Sequence, residues 1–341
     1  MKHQTFLFTH QSTHYYLGEQ LENLSRYTDR QTTVLLVDSQ VDIYHESALQ
    51  GWKKIVIPSG ESSKDLGTFQ WILEELVKLE ADRKNMLVGI GGGVVTDLTG
   101  FVASVYMRGL PFGFVPSTLL AQVDASIGGK NGINLASLKN MVGTIRQPEF
   151  ILFDYSLLDS LPEPEWINGF AEIIKYAAIL DEELFQFLEK NRMAALQRDP
   201  QILAFLVERC VGLKSKIVQE DEFESGIRRF LNFGHTLGHA VEKLDHIPHG
   251  QAVAIGMVAA SKFSEHLLKF SSKDSARLIQ LIRDYQLPTE FSTDRNGVCQ
   301  LFKMDKKREK DAIHFVLLEK LGHAVTKAID LDQLRDLVAI L

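Results

Sequence analysis

The stretch Met86-Leu-Val-Gly-Ile-Gly-Gly-Gly-Val-Val-Thr-Asp97 decides the fold class. Its apolar run, Met86–Ile90, is typical of a buried strand, and Gly91–Gly93 then opens a predicted helix that continues to Tyr106. Glycines at such a turn allow close approach of a phosphate, and free N–H groups at a helix start attract anions. The stretch therefore predicts a nucleotide-binding turn. A tight structural turn gives the same pattern, and the dinucleotide fingerprint G-x-G-x-x-G is absent.

The neighbouring sequence repeats this alternation of strand and helix. Val34–Val37, Ile55–Ile57 and Phe112–Val115 predict further buried strands. Leu66–Leu79 has apolar residues three and four apart, which indicates an amphipathic helix. Strands that alternate with helices predict a mainly parallel sheet covered on both faces.

Helical periodicity dominates after Leu161, and the prolines near Pro162 mark a boundary. We expect an α/β protein with a Rossmann-like parallel-sheet domain over residues 1–161, a mainly helical domain over 162–341, and a cleft between them. A weak strand pattern returns near the C-terminus. The predicted helices and this strand are Glu163–Leu180, Glu182–Glu189, Ile202–Val218, His235–Leu244, Ala252–Leu268 and Ile313–Leu318.

Composition excludes several classes of protein. The 341 residues include 37 basic and 44 acidic side chains, a net charge of −7, so general nucleic-acid binding is disfavoured while a small anionic substrate is not. The two cysteines exclude a disulfide scaffold and a four-cysteine zinc site. The N-terminus lacks the apolar core of a signal peptide, and the run Ala252–Ala260 is short of the roughly 20 residues that span a bilayer. We expect a soluble cytoplasmic protein.

Histidines are concentrated in Asn232-Phe-Gly-His235-Thr-Leu-Gly-His239 and His249-Gly250. His235 and His239 project from one face of a helix and offer a pair of metal ligands, although the glutamate of H-E-x-x-H is missing. Glu172 lies on another predicted helix. Two of the three histidines with this carboxylate make a plausible metal site, and scattered core or capping histidines remain an equal alternative.

Basic and polar residues among glycines form a third feature, Asp124-Ala-Ser-Ile-Gly-Gly-Lys130 followed by Lys139-Asn140. Lysines beside glycines suit a phosphate or carboxylate, although solvated loop lysines are more common. Arg228 and Arg229 precede the histidine region and could hold a carboxylate. The run Asp305–Lys310 has the pattern of a solvated surface.

Together these motifs resemble the 3-dehydroquinate synthase family, in order from about residue 34 to 310. The resemblance is carried by Gly91-Gly-Gly-x-x-x-Asp97-Leu-x-Gly100, Pro116-Ser-Thr-Leu-Leu-Ala-Gln-Val-Asp124-x-Ser-Ile-Gly-Gly-Lys130, Lys139-Asn140, Asn168-Gly-x-Ala-Glu172-x-Ile-Lys175, Asn232-x-Gly-His235-x-x-Gly-His239-Ala-x-Glu242 and His249-Gly250.

The resemblance implies conversion of 3-deoxy-D-arabino-heptulosonate 7-phosphate into 3-dehydroquinate and phosphate, the second step of the shikimate pathway to chorismate and aromatic amino acids. The family uses catalytic NAD⁺ and a divalent metal, zinc or cobalt. A hydride leaves C5 for NAD⁺, and the new ketone acidifies the C6 proton. Phosphate departs by β-elimination with its own oxygen as base. The hydride returns to C5, the ring opens, and the enol closes on the keto carbon.

The resemblance also implies a role for individual residues. The metal ligands would be Glu172, His235 and His249, while His239 would face the substrate. This ligand set replaces the pair His235 and His239 that spacing alone offers. The NAD-binding residues would be Asp38, Glu61, Lys64, Gly92, Gly93, Val94, Asp97, Ser117, Thr118, Lys139, Ser160 and Asn168. The substrate-binding residues would be Arg108, Lys130, Asn140, Lys214, Arg228, Asn232, His239 and Lys306, and the catalytic ones Lys130, His239, Glu224 and Asp124. Arg108 would reach the phosphate in the neighbouring subunit of a homodimer.

Two alternatives remain open. Another sugar phosphate cyclase, such as a 2-deoxy-scyllo-inosose or epi-valiolone synthase, shares the cofactor and metal residues but acts on substrates without a carboxylate. Lys214, Arg228 and Asn232 favour the dehydroquinate reaction over these. A polyol dehydrogenase of the glycerol dehydrogenase kind would instead form NADH with every turnover.

Overall fold

The computed structural model describes residues 1–136, 138–304 and 312–341. The chain forms two compact units, each made of two segments: Met1–Trp166 with Leu203–Phe223, and Ile167–Ile202 with Glu224–Leu341. The boundary that the sequence predicts after residue 161 stays a prediction. Among the described residues, no helix combines the length and the apolar character needed to cross a membrane.

The described residues of the first unit form a seven-stranded sheet. Its strands are β1 Lys2–Leu7, β2 Ser12–Leu17, β3 Thr33–Asp38, β4 Lys53–Ile57, β5 Met86–Gly91, β6 Phe112–Pro116 and β9 Phe150–Phe153. Their order is β1-β2-β9-β6-β5-β3-β4; within this sheet β1 and β2 pair antiparallel, and the other neighbouring strands pair parallel. The mainly parallel sheet is confirmed. An antiparallel hairpin, β7 Lys130–Leu135 with β8 Leu138–Ile145, is separate from it.

The helices of the first unit are α1 Ser39–Tyr44, α2 Glu46–Leu49, α3 Leu66–Lys78, α4 Gly93–Val105 and, from Leu203 on, α7 Pro200–Glu220. The sequence predicts α3 and α4 between these strands, and it does not predict α1 and α2. Sequence pattern assigns α7 to the C-terminal domain, but its side chains join the first unit. Glu208 pairs with Lys2 at 2.9 Å, Lys214 pairs with Asp124 at 2.6 Å, and Gln219 donates to the carbonyl of Leu7.

The second unit is mainly helical, as predicted. Its helices are α5 Glu163–Leu180 from Ile167 on, α6 Glu182–Leu196, α8 His235–Asp245, α9 His249–Leu268, α10 Ser272–Asp284, α11 Arg295–Met304 and α12 Leu331–Ala339. An antiparallel pair, β10 Ala312–Lys320 and β11 His323–Asp330, contains the predicted strand near the C-terminus. One core cluster joins α8, α9, α11, α12 and this pair around Phe263, Phe302 and Phe315.

Glycines allow α8 and α9 to approach closely. A Cβ at Gly256 would lie 1.9 Å from the carbonyl oxygen of Gly234, and one at Gly238 would lie 3.0 Å from the carbonyl oxygen of Ala252. Gly234 itself caps α8 with a φ of 77°, a left-handed conformation that favours glycine. The residues that begin these two helices are therefore held at a short, fixed separation.

We predict that Gly256→Ala lowers the free energy of unfolding by about 1–3 kcal/mol, because the new methyl group meets backbone atoms that cannot move independently. Chemical denaturation followed by circular dichroism measures the change. Gly212→Ala is the matched control: a Cβ there has no atom within 4 Å, and we expect it to stabilise α7 by about 0.5–1 kcal/mol. Equal effects of the two substitutions would contradict the close contact.

Candidate functional site

Three side chains of the second unit converge on one point. Glu172 lies on α5 and is fully buried, while His235 and His249 are the first residues of α8 and α9. The Oε1 atom of Glu172 lies 3.5 Å from Nε2 of His235 and 3.7 Å from Nε2 of His249. All three candidate ligand atoms lie within 4.8 Å of one another. One carboxylate and two imidazoles at this spacing can hold a divalent cation and leave a coordination position open.

The orientation of each imidazole is set by its second nitrogen. Nδ1 of His235 lies 3.1 Å from the carbonyl oxygen of Phe233, and Nδ1 of His249 lies 3.3 Å from Oε2 of Glu242. When each Nδ1 donates its proton to this acceptor, the lone pair of each Nε2 is available to bind a cation beside Glu172. This is the tautomer that a metal-binding histidine requires.

Asn168 fixes the start of α9 against α5. Its Oδ1 accepts a hydrogen bond of 2.6 Å from the backbone N–H of Gly250, the residue after His249. Asn168 precedes Glu172 by one helical turn, so both side chains lie on one face of α5. A Cβ at Gly250 would lie 2.2 Å from the carbonyl oxygen of Asn168, so glycine is required for this contact.

Positive charge surrounds the buried carboxylate. Lys175, also buried, forms an ion pair with Glu172. Burial, aided by the charge of Lys175, holds the pKa of His235 well below its ordinary value, so this imidazole is neutral at pH 7. Burial also opposes the charge on His249, but hydrogen bonds to Glu172 and Glu242 outweigh it and raise its pKa to about 9. A divalent cation would take the place of the His249 proton beside Glu172.

His239 adjoins this cluster without sharing the Glu172 group. Its ring centroid lies 5.4 Å from that of His235 and 6.0 Å from that of His249, and its side chain is exposed. Among the described residues, its candidate ligand atom groups instead with those of Glu242 and His249. The pair of histidines four residues apart, considered from spacing alone, does not form the group around Glu172. That group is the one that the resemblance implies.

In the first unit, predicted cofactor residues lie at the carboxyl ends of adjacent parallel strands. Asp38 ends β3, the Gly92-Gly93 turn follows β5, and Ser117 follows β6. Ligands of open α/β sheets bind at this edge. Asp38 also caps α1 by accepting a hydrogen bond from the N–H of Gln40. Val94 is the second residue of α4, and Thr118 accepts from the N–H of Ala121.

A buried lysine joins several of these residues. Lys64 forms an ion pair with Asp97 and donates to Oδ1 of Asn140 at 2.6 Å. Burial works against the charge on Lys64, but the carboxylate of Asp97 outweighs it, so its pKa is raised. Glu61 accepts from Asn134 at 2.8 Å and lies 4.0 Å from Lys139. The structure thus connects residues that the resemblance assigns to NAD with one assigned to the substrate.

Further predicted residues occur as pairs within one unit. Lys214 contacts both the carboxylate and the carbonyl oxygen of Asp124, at 2.6 and 2.7 Å. Asn232 donates to Glu224 at 2.6 Å, and Glu224 has a left-handed φ of 60°. The remaining predicted residues have these positions: Arg228 buried in a short 3-10 turn, Lys130 exposed at the start of β7, Arg108 exposed after α4, and Ser160 hydrogen-bonded to His45. Lys306 lies outside the described residues.

Sequence reasoning gave no role to Lys175 or Glu242, although both stand in the quoted motifs. The signal for Lys175 is its place three residues after Glu172, on the same helix face. The signal for Glu242 is its place seven residues after His235, which also shares a face. Neither spacing shows that the side chain is buried or that it contacts a predicted metal-binding residue.

Comparison with known proteins gives two consistent results. Family models described as 3-dehydroquinate synthase N-terminal and C-terminal match residues 54–168 and 169–308. A 3-dehydroquinate synthase from Pyrococcus abyssi is 45% identical over 272 residues, which is 79% of this chain and 79% of that protein.

Solved structures share the fold at lower identity. A 2-deoxy-scyllo-inosose synthase with carbaglucose-6-phosphate, NAD⁺ and Co²⁺ has a TM-score of 0.89 and 24% identity, covering 99% of both chains. A 2-epi-5-epi-valiolone synthase from Streptomyces hygroscopicus with NAD⁺ and Zn²⁺ has the same TM-score and identity, covering 98% of both chains. Both agree with the predicted α/β and helical architecture.

We predict that His235→Ala and His249→Ala each abolish stoichiometric binding of one Zn²⁺ or Co²⁺, because two remaining ligands chelate poorly. His239→Ala, the matched control from the same helix face, is expected to keep the metal. Elemental analysis of dialysed proteins measures the content. A metal-free His239→Ala protein, or a metal-loaded His249→Ala protein, would contradict the ligand set.

Proposed function

The chain belongs to the 3-dehydroquinate synthase family, and we propose that it converts 3-deoxy-D-arabino-heptulosonate 7-phosphate into 3-dehydroquinate and phosphate. The observation that carries this assignment is 45% identity to a 3-dehydroquinate synthase over 79% of the chain. The cyclases of similar fold with other substrates are only 24% identical. The enzyme is thus a carbon–oxygen lyase that acts on a phosphate ester.

We propose that the first unit binds NAD and the second a zinc or cobalt ion. Support for NAD comes from the predicted residues at the carboxyl ends of β3, β5 and β6, and from the NAD⁺ in both related structures. Support for the ion comes from the spacing of Glu172, His235 and His249. When bound, NAD⁺ accepts and returns one hydride at C5, and the cation polarises the C5 oxygen.

The chain's own residues bind the anions and move protons. We assign the phosphate to Lys130, Asn140 and the arginine of a neighbouring subunit, and the carboxylate to Arg228. Asp124 holds the ammonium group of Lys214 in place, and Glu224 orients Asn232. His239 and Glu224 are the proposed proton donors and acceptors, because the exposed His239 ring lies beside the predicted metal ligands and Glu224 contacts Asn232, a predicted substrate ligand. Lys306 keeps its proposed role as a substrate ligand.

The redox steps cancel, because the hydride that leaves C5 returns to C5. The C6 proton passes to the leaving phosphate while the C6–H electron pair forms the new double bond and the C7–O bond breaks. Fixed positive charge then stabilises the departing phosphate without reorganising. An enzyme that works on phosphorylated metabolites with NAD is expected in the cytoplasm.

We predict that wild-type protein releases phosphate from the heptulosonate phosphate only with NAD⁺ present and accumulates no NADH. A phosphate-release assay run beside NADH absorbance tests this, with glucose 6-phosphate and sedoheptulose 7-phosphate as substrates lacking the carboxylate. Preference for either sugar phosphate would favour another cyclase. Stoichiometric NADH would instead identify a polyol dehydrogenase.

Within the same assay, Arg228→Leu should lower kcat/KM for the heptulosonate phosphate at least about tenfold, since charge-assisted bonds contribute on the order of 1.5–3 kcal/mol. Arg228→Lys should restore only part of this, because an ammonium cannot reproduce the planar guanidinium. Metal content and NAD⁺ affinity serve as controls and should stay near wild type. A kinetically silent Arg228→Leu would remove Arg228 from substrate binding.

We further propose a homodimer in which Arg108 serves the neighbouring subunit. Met107 and Arg108 both adopt left-handed backbone, with φ of 50° and 68°, at a cost of about 1 kcal/mol or more each. This turn presents Arg108 on the surface beside a groove lined by Leu73, Val77 and Val105. Val77 and Val105 are exposed apolar side chains, and a second copy of the chain would bury them.

Complementation tests this proposal. Arg108→Ala and Lys130→Ala proteins should each be inactive, and their equimolar mixture should recover about a quarter of wild-type activity, because half the dimers are mixed and each mixed dimer has one intact site. Activity measured after subunit exchange reports the recovery. Each variant incubated alone is the control. Mass spectrometry verifies that the subunits have exchanged. If the exchanged mixture then recovers no activity, the shared site is contradicted.

A further inference from the structure

We propose that Glu242 is a positioning residue that fixes the ring of His249, so that its Nε2 atom is presented to the metal ion. This inference rests on the metal site proposed above. It concerns a residue beyond the three ligands and their open position.

The geometry places Glu242 behind His249 as seen from Glu172. Its Oε2 atom lies 3.3 Å from Nδ1 of His249, while Nε2 of the same ring lies 3.7 Å from Oε1 of Glu172. The two carboxylates therefore contact opposite nitrogens of one imidazole. Glu242 is buried on α8, seven residues after His235, so it shares the helix face that bears that ligand.

His249 needs such a partner more than His235 does. His235 has a side chain only 13% exposed, and its Nδ1 lies against the backbone carbonyl of Phe233. His249 begins a helix and its side chain is 31% exposed, so packing alone constrains its ring less. A carboxylate that accepts from Nδ1–H selects the tautomer and the ring orientation that metal binding requires.

The fold holds Glu242 in place. The glycine contacts between α8 and α9 keep the two helices close, and the Asn168 hydrogen bond to Gly250 holds the first turn of α9 against α5. His249 is thus confined between two carboxylates that are carried by separate helices. A shift of either helix would lengthen one of the two contacts.

One competing arrangement uses the same atoms. The candidate ligand atoms of His239, Glu242 and His249 also lie within 4.8 Å of one another, which would suit a second cation. Nδ1 of His249 cannot carry a proton for Glu242 and bind a cation at once. The number of ions bound per chain therefore separates a positioning carboxylate from a ligand.

The experiment measures metal affinity rather than activity. Zn²⁺ dissociation constants are obtained by competition with a chromophoric chelator, and the visible spectrum of the Co²⁺-loaded protein reports the ligand set. We expect one ion per wild-type chain. Glu242→Ala should weaken Zn²⁺ binding about 10- to 100-fold, the usual effect of losing such a partner. Glu242→Gln should recover much of this loss, because its amide oxygen still accepts from Nδ1–H.

Asp245→Asn is the matched control. Asp245 lies one turn after Glu242 on α8 and accepts from Thr293 at 2.6 Å, so its substitution perturbs the same helix but leaves the contacts of His249 with Glu172 and Glu242 in place. Its Zn²⁺ affinity should equal that of wild type. Thermal unfolding of all variants shows whether they fold, and Glu242→Leu, which keeps the side-chain volume but cannot accept from Nδ1–H, provides the value if Glu242→Ala does not fold.

The outcomes separate this inference from the metal site itself. Unchanged Zn²⁺ affinity in Glu242→Ala, with His249→Ala strongly weakened, would overturn the positioning role alone. Unchanged affinity in both variants would overturn the metal site. Two ions per wild-type chain and one per Glu242→Gln chain would identify Glu242 as a ligand and also overturn the proposal.

Discussion

A carboxylate that is fully withdrawn from water must be balanced by nearby positive charge, and Glu172 imposes this constraint on the second unit. Lys175 supplies positive charge from the same helix, and protonated His249 supplies it from the first residue of α9. The neutral ring of His235, the first residue of α8, lies 3.5 Å from the same carboxylate. Helices α5, α8 and α9, which are distant in sequence, thereby all contribute side chains that contact the carboxylate of Glu172. A divalent cation that replaces the proton on His249 would supply positive charge to the same carboxylate.

In the first unit, a buried charge is also balanced by an opposite charge, at the carboxyl ends of the parallel strands. Parallel strands bring their carboxyl ends to one edge, where loops replace regular pairing and polar groups collect. Lys64 is buried there, and it is kept charged by Asp97 while it also holds Asn140. An anionic substrate and a dinucleotide both benefit from such fixed charge, because no water has to reorganise when they bind. Each unit thus supplies preorganised polar groups on a rigid frame.

This division of labour suits a reaction whose oxidation and reduction cancel. NAD must stay bound throughout, which demands an extensive set of contacts, whereas the reacting sugar needs anion binding and proton transfer at defined atoms. In the second unit, Arg228 and the Glu224–Asn232 pair lie within nine residues of chain, directly before the histidines of α8. The short connection keeps substrate-binding candidates and metal ligands in the same unit.

Local pattern by itself determined the parallel strands β3, β4, β5 and β6 and the long helices, because apolar periodicity is set by residues close in sequence. It also predicted that His235 begins a helix, whereas the predicted start of the next helix, Ala252, lies three residues after His249, where α9 begins. Spacing could not choose among His235, His239 and His249, and the ligand set came instead from the resemblance of whole motifs. Tertiary structure alone decided that α7 joins the first unit, that Asn168 binds Gly250, and that Glu242 lies behind His249. These contacts join separate elements, and their distances depend on helix packing, here on the glycines that let α8 approach α9.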